Sequence, residues 1–265
     1  MEVVNDKLQG CDFQQSPNIS EGTIMTPQLI VVHFTAGRSA ESSISHLLKP
    51  GSGASAHLVI GLDGSVTQLA RFNQRAWHAG RSSWRGRRDV NSFSIGIELD
   101  NPGRLEPVGD KYRAWFGTTY SADKVIKASH KHEHKVSCWH IYPEAQLEAC
   151  MNVCEALAEH YAIADIVGHE DISPGRKTDP GPAFPMDNFR SRLFGRDTDS
   201  EPSVIEGRGS VNTNLLNFRD APDGVLDGPP LTEGTRVDIL ERQGDWLRVD
   251  VVRRGWVSAG YIRED

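Results

Sequence analysis

The chain has 265 residues, 38% of them hydrophobic and 25% charged, with a formal net charge of −7. This is the composition of a soluble globular protein with room for one large domain, or for a medium and a small one. An acidic chain without a long basic block is a poor binder of nucleic acid or anionic membrane, and apolar runs such as LIVVHF are far too short to span a bilayer.

In chain order, MEVVNDKLQGCDFQ shows neither a basic n-region nor an apolar h-region. No signal peptide is therefore visible in the sequence as given, and a cytoplasmic location is expected, with contact with the cell wall after export or lysis as the alternative. The tetrapeptide Leu8–Cys11 looks like a lipoprotein cleavage site but has no apolar stretch before it, and is treated as chance. QLIVVHF is a compact apolar strand ending at His33. A short helix follows, with Ser39 as its cap and Ile44, Leu47 and Leu48 as its inner face. SAHLVIGLDGSVTQL reads as two strands around the Asp63–Gly64 turn. FSIGIEL is a third buried strand, ending near Glu98. From Pro143 onward, Leu147, Cys150, Met151, Cys154, Leu157, Ala158 and Tyr161 recur at helical spacing. IADIVG is the next strand. Strands mixed with helices around one core imply an α/β or α+β domain. Cys150 and Cys154 read as small apolar residues on the buried helical face, and the four cysteines form no disulfide framework.

The stretch Gly195–Gly209 is polar, with Gly and Pro, and reads as a linker. Only short strand-like pieces follow (NLLNFR, TRVDILE, DWLRVDVV, GWVSAGYI), separated by turn residues, as in a small all-β barrel.

His33 ends one strand and His169 follows another, and Asp179 lies in the loop GHEDISPGRKTDPG beyond it. Strand ends at one edge of a sheet are where polar groups collect. Two neutral imidazoles and a carboxylate suit one Zn²⁺, leaving a fourth position for water acidified enough to attack an amide. Glu98 is then placed to act as general base, and Lys177 as the cationic donor to a developing oxyanion. The residues also admit a plain structural reading: hydrogen-bonded histidines, a solvated Glu98, and Asp179 capping a turn. HKHEHKVSCWH, with His130, His132, His134, Cys138 and His140, is dense in donors but Lys-rich and irregularly spaced, so it reads as a solvated loop or helix surface. In AWHAGRSSWRG, Trp77 and His78 suit the wall of a sugar-and-peptide groove, while Trp84 and the Tyr112–Trp115–Phe116 patch could be groove or core.

VVHFTAG, SAHLVIGLDGSVTQLA, AWHAG, SIGIELDNPG and GHEDISPGRKTDPGPAFP together resemble the zinc-dependent N-acetylmuramoyl-L-alanine amidases of the AmpD-like type, over about residues 25–195. The resemblance implies a mixed central β-sheet flanked by helices. It also implies hydrolysis of the amide between the lactyl group of N-acetylmuramic acid and the L-alanine of the stem peptide, in peptidoglycan or a muropeptide. Carried over by position, it makes His33, His169 and Asp179 the zinc ligands, Glu98 the acid/base and Lys177 the transition-state stabiliser. His57 falls near the site, in a substrate-contacting or supporting role. Peptidoglycan recognition proteins share the fold and some only bind, so a non-catalytic binder is the alternative. The tail resembles a bacterial SH3 domain, a wall- or protein-binding module. The expected organisation is a catalytic domain over 1–195 with an N-terminal arm to about residue 25, a linker over 196–207 and an SH3-like domain over 208–265.

Overall fold

The computed structural model describes residues 1–133, 135–194, 203–213, 215–219, 229–243 and 246–251. They fall into two compact units, Met1–Phe194 and Gly195–Asp265.

The first unit is built on a six-stranded mixed sheet. Across it lie Asp165–Gly168, Leu29–Phe34, Ser94–Leu99, Leu58–Ile60, Val66–Gln68 and Asp12–Phe13. The first four run parallel. Leu58–Ile60 and Val66–Gln68 form an antiparallel hairpin across the Asp63–Gly64 turn. Asp12–Phe13, from the N-terminal arm, adds the edge strand. The central strands are apolar almost throughout because both faces of the sheet are covered. On one face Ile30, Val32, Ile95, Ile97 and Leu99 meet the helix Glu144–His160. On the other Leu29 and Val31 meet Ala79, Val90, Phe93 and Ile172.

Helix α1 (Ala40–Leu48) begins at Ser39, whose side chain accepts from the Ser42 N–H in a capping box. It lays Leu47 against Val59 and Leu69, with Ile44 and Leu48 partly buried beside them. Helix α2 (Glu144–His160) follows Pro143. Of the expected face Cys150, Met151, Cys154 and Leu157 are buried, together with Gln146, Ala149, Val153 and Ala156, while Leu147, Ala158 and Tyr161 are only partly buried. Gln146 is the polar member of this buried set. Its Nε2 donates to the carbonyls of Ile60 and Asp100, both at 3.0 Å, at the ends of two neighbouring strands, which draws a polar residue into the core. All four cysteines are free thiols, and Cys150 and Cys154 are buried.

Sequence periodicity did not indicate a second sheet of five short antiparallel strands. Across it lie Thr119–Tyr120, Lys111–Arg113, Arg104–Val108, Val136–His140 and Val125–Ser129. It corrects the reading of the His-rich stretch as a solvated loop or helix surface. Val136–His140 is a strand, and His130 and His140 are buried. His130 is drawn in because it stacks on Trp139 and hydrogen-bonds Glu170 at 2.5 Å. His134 lies outside the described residues.

In the second unit Ser203–Ser210, Arg236–Gln243 and Trp246–Val251 make an antiparallel sheet, and Leu215–Leu216 pairs with Leu231–Thr232. The first of these strands starts inside the stretch read as linker, because its residues ladder with Arg236–Gln243 despite their glycines. Linker residues 196–202 and the GWVSAGYI segment lie outside the described residues. Among the described residues no helix is long and apolar enough to cross a membrane.

Gln146→Ala removes the donor shared by two buried carbonyls and leaves a small cavity. It is expected to cost about 2–4 kcal/mol of stability, read as a lowered midpoint in chemical denaturation with an unchanged slope.

Candidate functional site

Strand register assembles the site. Glu98 pairs with His33 across neighbouring parallel strands, and Gly168 pairs with Val32 on the other side. His169, the next residue after Gly168, therefore falls level with His33 at the same sheet edge. Side chains alternate along each strand, so His33 and Glu98 share the face that carries Val31 and Gly96. The sequence SIGIEL encodes this: Ile95, Ile97 and Leu99 point to the core, whereas Ser94, Gly96 and Glu98 face the site.

Asp179 is brought back by a closed loop. The Glu170 N–H donates to the Asp179 carbonyl at 2.9 Å, and the N–H groups of Arg176 and Lys177 donate to the Ser173 carbonyl. Gly168 has no side chain to block Pro180, whose Cδ would lie 2.7 Å from an added Cβ. The Arg176 guanidinium donates to the carbonyls of Ala79 and Arg81 and to Ser173 Oγ, bracing the loop against the AWHAG segment.

Three ligand-type atoms converge there. His33 Nδ1 lies 2.9 Å from His169 Nδ1 and 3.0 Å from Asp179 Oδ2, and His169 Nδ1 lies 2.9 Å from Asp179 Oδ2. All three residues are buried. His169 Nε2 faces the Ala79 carbonyl at 3.1 Å. A carbonyl only accepts, and it lies nearer than the Arg176 guanidinium at 3.4 Å, so Nε2 carries a hydrogen and a neutral His169 offers a lone pair at Nδ1. A lone pair and a carboxylate oxygen in contact demand a positive charge between them. A proton or a metal ion meets that demand, and the spacing is close to the roughly 3.3 Å edge of a tetrahedron with bonds of about 2.0–2.1 Å. The donor set thus fits a metal ion.

The electrostatics agree. Burial, reinforced by the neighbouring His169, pushes His33 down to about 4 against the pull of Asp179, so the imidazole is neutral near pH 7. Burial works to raise Asp179, but its close contacts with the His169 and His33 rings prevail and hold it well below the usual carboxylate range. Glu98 is pushed up to about 8 by burial and then by the Asp179 charge, with Lys177 opposing. Glu98 and Lys177 line, with the three ligand residues, a pocket of about 240 Å³. Trp77 lines it too, 42% exposed, with the Arg75 guanidinium 4.1 Å from its ring centre. Trp115 is 77% exposed, and its indole N–H donates to the carbonyl of Ala36, a pocket residue, at 2.8 Å. The Tyr112–Trp115–Phe116 patch is therefore surface rather than core.

The surroundings of His57 and His78 bear on two further expectations. His57 is fully buried: its Nδ1 accepts from the Gly96 N–H at 3.0 Å and its Nε2 donates to the Gln74 carbonyl at 2.8 Å. With both nitrogens spent, it secures the sheet and has nothing to offer a ligand. His78 reaches the pocket wall, yet its nitrogens are taken by His33 Nε2 at 3.0 Å and Ser94 Oγ at 3.2 Å. Its ring nitrogens are thus engaged with His33 and Ser94. Three supporting residues escaped the sequence reading. Asn91 Oδ1 accepts from the N–H groups of His78 and Ala79. Ser94 faces His78. Glu170, beside His169, is clamped by His130 and by Lys131 at 2.8 Å. The alternation in SIGIE was the available signal for Ser94; Asn91 and Glu170 carried none.

The N-acetylmuramoyl-L-alanine amidase family profile matches residues 23–182. A 1,6-anhydro-N-acetylmuramyl-L-alanine amidase, AmpD, of Enterobacter cloacae is 39% identical over 141 residues, covering 52% of this chain and 57% of that protein. The match thus spans little more than half the length of that relative. The N-acetylmuramoyl-L-alanine amidase AmiD of Escherichia coli (strain K12) is 30% identical over 236 residues, 86% of this chain and 70% of that protein. A crystal structure of a selenomethionine AmpD derivative superposes with a TM-score of 0.51 and 29% identity, covering 72% of this chain and 98% of that one.

Burial holds His57 neutral in the folded protein down to about pH 4, against an ordinary value of 6.5. Between those values the unfolded chain binds a proton the folded one refuses, so stability falls as pH drops from 6.5 towards 4. His57→Gln should lessen that loss by roughly 3 kcal/mol, measured as the difference between denaturation free energies at the two ends of the window.

Proposed function

Because the chain belongs to the N-acetylmuramoyl-L-alanine amidase family, we propose that it hydrolyses the amide between the lactyl group of N-acetylmuramic acid and L-alanine in peptidoglycan fragments, with zinc at His33, His169 and Asp179. The observation that carries this reading is the convergence of those three ligand atoms beside Glu98 and Lys177 in one pocket. A zinc ion held there would polarise the scissile carbonyl and acidify water.

The protein's own groups do the rest. Glu98 is partly exposed to the pocket and has no protein hydrogen bond among the described residues. Its carboxylate takes the proton of the attacking water and returns it to the departing L-alanine nitrogen, so the C–N bond breaks with an amine as leaving group. Lys177 opposes the negative charge that grows on the carbonyl oxygen. Trp77 and Trp115 offer flat apolar faces to the sugar side of the substrate, consistent with the groove role read for Trp77. The second unit is assigned as an SH3-like module that holds wall glycopeptide or a protein partner. Its described strands are all β, with the antiparallel three-stranded sheet such a barrel needs.

Mass spectrometry of a muropeptide digest should show free stem peptide beginning with L-alanine, lost with a chelator and restored by zinc. An intact digest from folded, zinc-loaded protein would favour the binding-only reading. Glu98→Gln should lower kcat by about 10²–10⁴-fold with zinc retained, and Lys177→Met by about 10²–10³-fold with little change in KM. A Glu98→Gln protein of full activity would remove that residue from the mechanism.

A further inference from the structure

Both imidazoles of the cluster are held from behind by one short segment. His33 is met by the side chain of His78, and His169 by the carbonyl of Ala79. The segment is pinned in turn by Asn91, whose Oδ1 accepts from the N–H of His78 at 3.1 Å and of Ala79 at 2.8 Å. Gly96 makes room for the arrangement, since an added Cβ would fall within 2.6 Å of His78 Nδ1.

The direction of each hydrogen bond follows from a fixed end. Ser94 Oγ lies 2.7 Å from the Val90 carbonyl, which can only accept, so the single hydroxyl hydrogen points there. Ser94 Oγ therefore meets His78 Nε2, at 3.2 Å, as an acceptor, and the hydrogen between them belongs to His78. A neutral His78 has spent its one ring hydrogen at Nε2 and presents a lone pair at Nδ1. That lone pair lies 3.0 Å from His33 Nε2, which must donate. His33 is left with a bare Nδ1, aimed between His169 Nδ1 and Asp179 Oδ2.

We propose that Val90, Ser94 and His78 form a one-way hydrogen-bond relay that sets the tautomer of His33 and, with the Ala79 carbonyl acting on His169, presents both Nδ1 lone pairs to one metal ion. Ser94 and His78 are thus positioning residues, acting through His33. The arrangement has a chemical purpose: a ligating imidazole needs its remote nitrogen fixed as a donor, and mutation of such partners typically lowers metal affinity about 10–100-fold. The relay rests on the metal reading of the cluster, but its own test does not depend on turnover.

The test is long-range ¹⁵N spectroscopy of the zinc-free full chain, paired with a chelator-competition measurement of zinc affinity. The wild-type spectrum should show a hydrogen on Nε2 of His33, His78 and His169, whatever proton the three facing atoms share in the absence of metal. In Ser94→Ala the His33 and His78 signals should move to a tautomer mixture and zinc affinity should fall about 10–100-fold. His169, anchored on Ala79, should stay unchanged and so report an intact fold. A wild-type His33 without a hydrogen on Nε2 would overturn the relay, and this reading requires no variant. So would Ser94→Ala with wild-type tautomers and wild-type affinity. A wild type with the expected tautomers that takes up no zinc would sustain the relay and sink the metal reading.

Discussion

Parallel pairing of Leu29–Phe34 with its two neighbours is the constraint from which the site follows. Adjacent strands lie about 4.8 Å apart, and residues level with one another project on the same side. Once Glu98 is paired with His33 and Gly168 with Val32, the proposed base and one proposed ligand share a level, and the second proposed ligand follows one residue beyond the ladder. Only Asp179 and Lys177 must be supplied by a loop, and that loop is closed on itself by the bond between Glu170 and Asp179. A register slip of one residue would turn His33 or Glu98 into the opposite core.

The same enclosure sets the chemistry. Removing these groups from water keeps His33 neutral, which a ligand requires, and raises Glu98, which a proton acceptor near neutral pH requires. It would also penalise the Asp179 carboxylate, were it not held by two imidazoles. The two carboxylates thus shift in opposite directions, and the difference lies in their partners: Asp179 lies against two imidazoles, whereas the Glu98 carboxylate has no hydrogen bond from the described residues.

How much of this was legible depends on how local the information is. His33, Glu98 and His169 stand at the ends of compact apolar runs, and the loop to Asp179 is punctuated by Gly and Pro, so the sequence displays the sheet edge and what it carries. Helix α1 announces itself by its cap. Position in the sheet is not local. Nothing near His57 shows that the Gly96 N–H and the Gln74 carbonyl will occupy its ring, and nothing near His78 shows Ser94 across the fold. The five-stranded sheet is hidden for a related reason: its strands run two to five residues, too short for alternation to stand above the charged residues and turns between them. Its His130 gains meaning only from Glu170, forty positions away. Gln146 misled the helical reading because a polar residue looks like surface until its two carbonyl partners are known.

The strand Ser94–Leu99 holds two interleaved messages. Its odd-numbered residues are large and aliphatic and belong to the packing under helix α2; its even-numbered residues, Ser94, Gly96 and Glu98, lie on the face that carries the site, with Glu98 in the pocket itself. Each set meets different neighbours, on opposite sides of a layer one residue thick. Substitutions among Ile95, Ile97 and Leu99 are therefore free to drift with the helix that covers them, while Ser94 is held by its hydrogen bonds and Gly96 by the space His78 takes. A single strand can in this way change its core partners over evolutionary time and carry an unaltered chemical face through the exchange.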